Sequence, residues 1–338
     1  MKVLVVGAGS IGSRHAANIK RYAEVALLDT NLEKFGQVAS HIGVRAFSDI
    51  EQVWGWKPDG VIVALPNHLH VVYAEMFIEH DVQVILIEKP ISHSLNGVQS
   101  MIEKAEDNGV RIYVVANMRF HQAVQVLKKN IGRIGRPLFA RGHVGNYLPN
   151  MRPDTDYRMV YAANKDQGGG VLLDSIHEID YMSWLFGKVS SVSSHVATLS
   201  DLDIDVEDYS TVMIKHESGV RLTLTMDYLQ QCKRRGCEII GTDGTLIWQS
   251  EGKVPEQCIV RLFDKQTGNW ENLLSLDSVD ASLPYERLIE EFVLAIEGKK
   301  NTLASAEEGY NALSVVLAAH QSSEAEVSID LLGGEINE

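Results

Sequence analysis

Little in this 338-residue sequence points to a membrane, a nucleic acid or a metal. No apolar run approaches the roughly 20 residues of a bilayer-spanning helix. Met1-Lys2 is followed by only four apolar residues before glycine, too few for a secretory leader. The expectation is a cytoplasmic protein with no membrane partner. Lysine and arginine total 31 against 45 acidic residues, a formal net charge of −14, and phosphate backbones need clustered cations, so nucleic acid is excluded as the main partner. Cysteine is scarce: Cys232, Cys237 and Cys258 cannot pair completely and lack zinc-finger spacing with histidine, which reads as reduced thiols. The 12 histidines form no His-Glu-x-x-His pattern, and no metal is expected. Internal repeats and low-complexity segments are lacking too.

What remains is a globular composition, 45% hydrophobic and 22% charged, in a chain longer than one average domain. The first strong signal is Val3-Leu4-Val5-Val6-Gly7-Ala8-Gly9-Ser10-Ile11-Gly12, an apolar run that breaks into Gly-x-Gly-x-x-Gly and continues as a helix. This is the dinucleotide fingerprint: Gly7 for the tight turn, Gly9 for approach of a pyrophosphate, Gly12 for close helix-to-strand packing, with Ser10 and Ile11 at the positive helix end. A second strand, residues 24–29, ends in Asp29, twenty residues past Gly9, where a carboxylate can accept from a ribose diol. Asp29 also repels a 2′-phosphate, and Thr30-Asn31 brings no arginine to hold one, so the reading is NAD rather than NADP.

Further buried strands end in Leu65-Pro66-Asn67-His68-Leu69-His70 and in Glu88-Lys89-Pro90. Ligands bind at the carboxyl ends of such strands, so Leu65, Pro66, Asn67, His70, Glu88 and Lys89 are assigned to the cofactor. Pro66-Asn67 also reads as a plain turn and helix cap. A six-strand alternating pattern closes near residue 117, giving an α/β Rossmann domain over residues 1–117. Residues 118–338 have a different grammar: helices at 120–130 and 171–186, strand candidates at 137–147, 189–199, 209–216, 219–228, 234–240, 245–249 and 259–263, then helices at 284–297 and 306–324. This predicts an α+β domain with an open, largely antiparallel sheet. Runs such as Val212-Met213-Ile214 and 222–226 are apolar enough to bury the sheet's uncovered face on a second copy, so a homodimer or homotetramer through that sheet is expected.

Gly168-Gly169-Gly170 leads into a helix carrying Asp174 and His177 three positions apart, on one face. A histidine beside a carboxylate is a tunable base near neutral pH, although a helix cap with a surface histidine has the same spelling. In Arg152 to Arg158, Tyr157 and Arg158 offer an aromatic face and an anion clamp for a sugar carboxylate or a nucleotide phosphate. A local Asp156 to Arg158 ion pair accounts for the same residues.

Gly7-x-Gly9-x-x-Gly12, Pro66 to His70, Glu88-Lys89-Pro90, Arg119-Phe120-His121 and the glycine run into Asp174 and His177 stand in an order and spacing that resembles the Gfo/Idh/MocA oxidoreductases, over essentially the whole chain. The resemblance implies an NAD-dependent dehydrogenase of a sugar, polyol or nucleotide-sugar derivative, its substrate lying between nicotinamide and the second domain's sheet. It implies Lys89 as the active-site lysine, His177 as the catalytic histidine and Asp174 as its companion, with Arg119 among the substrate contacts. Many members have the Asp and His four apart, so a second assignment stays open in which Asp174 binds substrate and Lys89 carries the proton. Relatives that recycle bound NAD during glycoside hydrolysis, or that bind NAD without catalysis, define the alternatives.

Overall fold

The computed structural model describes residues 1–332. Two compact units make up the chain, Met1–Asn117 with Ser282–Tyr310, and Met118–Ala281 with the residues from Asn311 onward.

The first unit begins with β1 (Lys2–Val6), α1 (Ser10–Ile19), β2 (Glu24–Leu28), α2 (Leu32–Ile42), β3 (Arg45–Phe47), α3 (Ile50–Trp56), β4 (Gly60–Val63), α4 (His70–Ile78), β5 (Val84–Ile87), α5 (Val98–Asp107) and β6 (Arg111–Val114). The six strands pair in parallel in the order β6-β5-β4-β1-β2-β3. Gly-Val-Ile-Val of β4 and Val-Ile-Leu-Ile of β5 are buried throughout, as strands covered on both faces must be. β1 lies between β2 and β4, so the connections leave it in opposite directions. That switch point, at the carboxyl ends of the strands, is where such sheets bind ligands.

The second unit contains α6 (Gln122–Asn130), β7 (Pro137–Gly145), α7 (Leu148–Met151), α8 (Val171–Asp174), α9 (Ile176–Phe186), β8 (Val189–Ala197), β9 (Tyr209–His216), β10 (Arg221–Asp227), β11 (Arg234–Gly241), β12 (Gly244–Glu251), β13 (Gln257–Asp264) and β14 (Asn269–Leu276). Its strand pairs are antiparallel except β7 with β10. Sequence pattern misses β14 because an edge strand with a register shift opposite Val260 and Arg261 shows no clean alternation. The apolar runs also point differently from expectation. Val212, Ile214, Leu222, Leu224 and Met226 are buried in the hydrophobic core, whereas Thr211, Met213, Thr223 and Thr225 project to the opposite face. Strand alternation divides each run between the two faces, so the runs do not supply a continuous apolar surface.

The chain then returns through α10 (Leu283–Ile296), β15 (Ala304–Ser305), α11 (Ala306–Ala325) and β16 (Ile329–Asp330). A single boundary near residue 117 therefore misplaces residues 282–310. Leu288, Ile289 and Phe292 are fully buried, and α10 packs on α1 and β5. A Cβ on Gly60 would come within 2.6 Å of Ile296. β15 pairs antiparallel with β6 as a seventh strand. Beyond residue 310, α11 belongs to the second unit, where Ser322 and Ser323 accept from the backbone of β8 at 3.0 and 2.8 Å, and β16 extends the nine-stranded sheet. Among the described residues no helix is long and apolar enough to cross a membrane.

Candidate active site

In the first unit the fingerprint glycines have separate jobs. Gly7 has φ +94, and a Cβ there would lie 2.4 Å from the Ala64 carbonyl. A Cβ on Gly12 would lie 1.8 Å from the Gly7 carbonyl, so α1 seats on β1 only with glycine. At Gly9 a Cβ would meet nothing of the chain within 4 Å. The space over Gly9, at the first turn of α1 where backbone N–H groups lack helical acceptors, fits a dinucleotide pyrophosphate. Asp29 accepts the Ala8 N–H through Oδ2 at 2.9 Å and the Asn31 N–H through Oδ1 at 3.0 Å, which fixes its carboxylate beside the loop. Ser10, Ile11 and Gly12 open α1, while Leu65, Pro66 and Asn67 follow β4.

Lys89 follows β5, and its backbone N–H donates to Glu88 Oε2 at 3.1 Å. The other carboxylate oxygen of Glu88 accepts from His15 Nε2 at 2.7 Å. Burial pushes the Glu88 carboxyl up, but the bond from His15, the charges of His15 and Lys89 and the Lys89 N–H outweigh it and hold it below the usual range. Glu88 thus faces the interior of its unit. His70, assigned from sequence to the cofactor, is completely buried, its ring nitrogens 2.9 Å from the carbonyls of Pro90 and Leu65. Burial pushes it down despite those carbonyls. With no exposed surface, His70 braces two loops and is not itself a ligand contact.

In the second unit the expected continuous helix over 171–186 breaks at Ser175, whose φ −94 and ψ 20 separate α8 from α9. Asp174 ends one helix and His177 opens the next, so helical periodicity does not set their relation. Asp174 accepts a hydrogen bond from the Tyr161 hydroxyl. Both line a cavity of about 100 Å³ with Leu148, Met151, Arg152 and Tyr157. Arg158 is exposed and committed to Asp156, with Nε to Oδ1 at 2.9 Å and Nη2 to Oδ2 at 2.6 Å, the local ion pair weighed from sequence. The Tyr157 hydroxyl accepts the Asp203 N–H at 3.2 Å. A larger cavity of about 480 Å³, lined by His143, Arg234, Gln249 and Glu251 among others, contains neither Asp174 nor His177.

Two ion pairs pin α9 in the turn that follows His177. Arg235 Nε lies 2.8 Å from Glu178 Oε1, and Arg119 grips Asp180 in a fork at 3.0 and 2.7 Å. Arg119 is 3% exposed. Arg119, assigned from sequence to substrate, is committed through Nε and Nη2 to Asp180 inside the second unit. His121, two residues past Arg119, is pushed down to about 4 by burial and by the charge of Arg235.

Residues 1–116 match the model of the oxidoreductase family with an NAD-binding Rossmann fold, and residues 120–247 match the Gfo/Idh/MocA C-terminal domain. The chain belongs to the Gfo/Idh/MocA oxidoreductases. Among curated relatives, it is similar to a 1,5-anhydro-D-fructose reductase of Ensifer adhaerens, 27% identical over 91% of this chain and 92% of the relative. It is also similar to an NADP(+)-using scyllo-inositol 2-dehydrogenase of Bacillus subtilis, 28% identical over 91% of each. The fold matches the WlbA dehydrogenase of Bordetella pertussis, solved with NADH and UDP-GlcNAcA, at a TM-score of 0.81, 22% identity and 99% coverage of both chains.

For this Gfo/Idh/MocA oxidoreductase the Rossmann domain and the open, mostly antiparallel second sheet are as expected from sequence. His15 and Tyr161 were missed. His15 carried a signal, since Gly12, His15, Ala16 and Ile19 form the buried face of α1. Tyr161 carried none, because it sits in irregular chain and meets Asp174 only through the fold.

Proposed function

We propose that the protein is an NAD-dependent dehydrogenase of a sugar, polyol or nucleotide-sugar derivative. The observation that carries the cofactor reading is the glycine loop: Gly9 faces open space at the start of α1, and Asp29 is fixed beside Ala8 where a ribose diol can donate to it. Its negative charge disfavours a 2′-phosphate, which supports NAD although the Bacillus subtilis relative is named for NADP(+). Gly7, Gly9, Ser10, Ile11, Gly12, Asp29, Leu65, Pro66, Asn67 and Lys89 would hold the dinucleotide, whose nicotinamide supplies the hydride acceptor.

The chain's own task is the hydroxyl proton. We assign His177 as the base that takes it, Asp174 as its companion and Lys89 as the cation that stabilises negative charge on the oxygen. The Tyr161 hydrogen bond to Asp174 supports a second assignment, in which Asp174 and Tyr161 bind substrate hydroxyls and Lys89 carries the proton. Tyr157 lines the same cavity and would contact the sugar. A homodimer or homotetramer through the second sheet, and a cytoplasmic location suited to three unpaired cysteines, complete the reading.

Screening sugars, inositols and nucleotide sugars with NAD and NADH tests it. Stoichiometric change in nicotinamide absorbance is expected with one substrate class. Product formation without net NADH would instead identify a cofactor-recycling hydrolase, and NAD binding with no turnover on any class a regulator.

A further inference from the structure

Lys89 is the one candidate catalytic group in the first unit, and its surroundings form a designed-looking chain of contacts. His15 lies on the buried face of α1, three residues past Gly12, and is 0% exposed. Its Nε2 donates to Glu88 Oε1 at 2.7 Å, and Glu88 Oε2 accepts the Lys89 N–H at 3.1 Å. The helix that opens with the glycine loop is therefore joined to the Lys89 backbone through a single carboxylate. On the far side, His70 braces the Pro90 carbonyl against Leu65.

We propose that His15 and Glu88 are positioning residues for Lys89: the half-buried carboxylate fixes the lysine's backbone and favours its ammonium form, while His15 holds that carboxylate in place. The inference rests on reading Lys89 as the cation at the reacting oxygen. A solvated surface helix would not keep a histidine wholly buried against a carboxylate. A carboxylate with two donors is also the geometry that keeps it anionic beside a cation.

Among the described residues, several charged or titratable groups face Glu88. His15 comes from α1, Lys89 from its own strand end and His70 from α4. Tyr285 of α10 is pushed up by burial and by Glu88, with Arg14 stacked 4.7 Å over its ring. Glu88 is thus an anion set beside Lys89.

The test uses the full chain with and without NAD, and reads the pH dependence of Lys89 acetylation by acetic anhydride through mass spectrometry of its peptide. In Glu88→Gln the Lys89 midpoint is expected to fall by about one pH unit. kcat should fall about tenfold or more, with NAD affinity kept within about twofold. His15→Leu should move the midpoint the same way, and His15→Gln, whose amide can still donate, should restore it. An unchanged midpoint in folded, NAD-binding Glu88→Gln or His15→Leu overturns the inference. Its failure is separable from that of the parent reading: full turnover in Lys89→Ala removes the role of Lys89 itself, whereas a dead Lys89→Ala beside a normal Glu88→Gln removes only the positioning role.

Discussion

Arg119 holds Asp180 in a two-armed grip, Nε to Oδ2 at 3.0 Å and Nη2 to Oδ1 at 2.7 Å, across 61 residues of sequence. Both partners are buried, and the pair fastens α9, which carries His177, to the segment entering the second unit. Truncating one partner leaves an uncompensated interior charge. Arg119→Ala should lower unfolding free energy by about 3–5 kcal/mol in urea titration, whereas Arg119→Met with Asp180→Leu should cost much less.

Gly9 and Gly12 should respond oppositely to alanine. A methyl at Gly9 meets no atom of the chain and its φ of −66 suits any residue, so Gly9→Ala should melt like the parent protein yet weaken NAD binding at least about tenfold. Gly12→Ala forces a methyl to 1.8 Å from the Gly7 carbonyl and should lose stability first, by about 1–3 kcal/mol. Calorimetry of both variants with NAD titration separates the effects. Normal NAD affinity in Gly9→Ala would falsify the pyrophosphate assignment.

Asp29 combines a charge with an acceptor for the Ala8 N–H. Asp29→Asn can keep an acceptor and drops the charge, so it isolates discrimination from loop architecture. The expected outcome is weaker NAD and stronger NADP binding, the ratio shifting by about tenfold or more. An unchanged ratio by isothermal titration removes Asp29 from cofactor selection.

His121 sets an acid limit on stability. Its folded value of about 4 lies below the ordinary histidine value of 6.5, through burial first and then the charge of Arg235. The unfolded chain therefore binds the proton more readily. The histidine's contribution is fully present above about pH 6.5 and is lost as pH falls towards 4, at up to about 1.4 kcal/mol per pH unit. Urea midpoints from pH 7.5 down to 4.5 should drop less steeply in His121→Asn than in the parent.

What could be read from sequence was local. Gly7, Gly9, Gly12 and Asp29 act within one strand-turn-helix-strand stretch, and their spacing announces it. Unbroken apolar strands and alternating ones likewise declare parallel and antiparallel sheets. The partners of polar side chains were hidden, because Arg119 finds Asp180, and His15 finds Glu88 73 residues away, only after folding. Ser175 shows another limit: helical composition on both sides gave no sign of the break that reorients Asp174 relative to His177.

The return of α10 and β15 to the first unit bears on how the chain is made. On the ribosome, the nucleotide-binding sheet emerges first yet has its β6 edge unpaired and Phe292's site uncovered until nearly 300 residues have been synthesised. The second unit waits longer still, for α11, whose Val315, Val316 and Ala319 enter its core, and for β16 at the end of its sheet. The domain that begins the protein thus cannot close until most of the chain has been made.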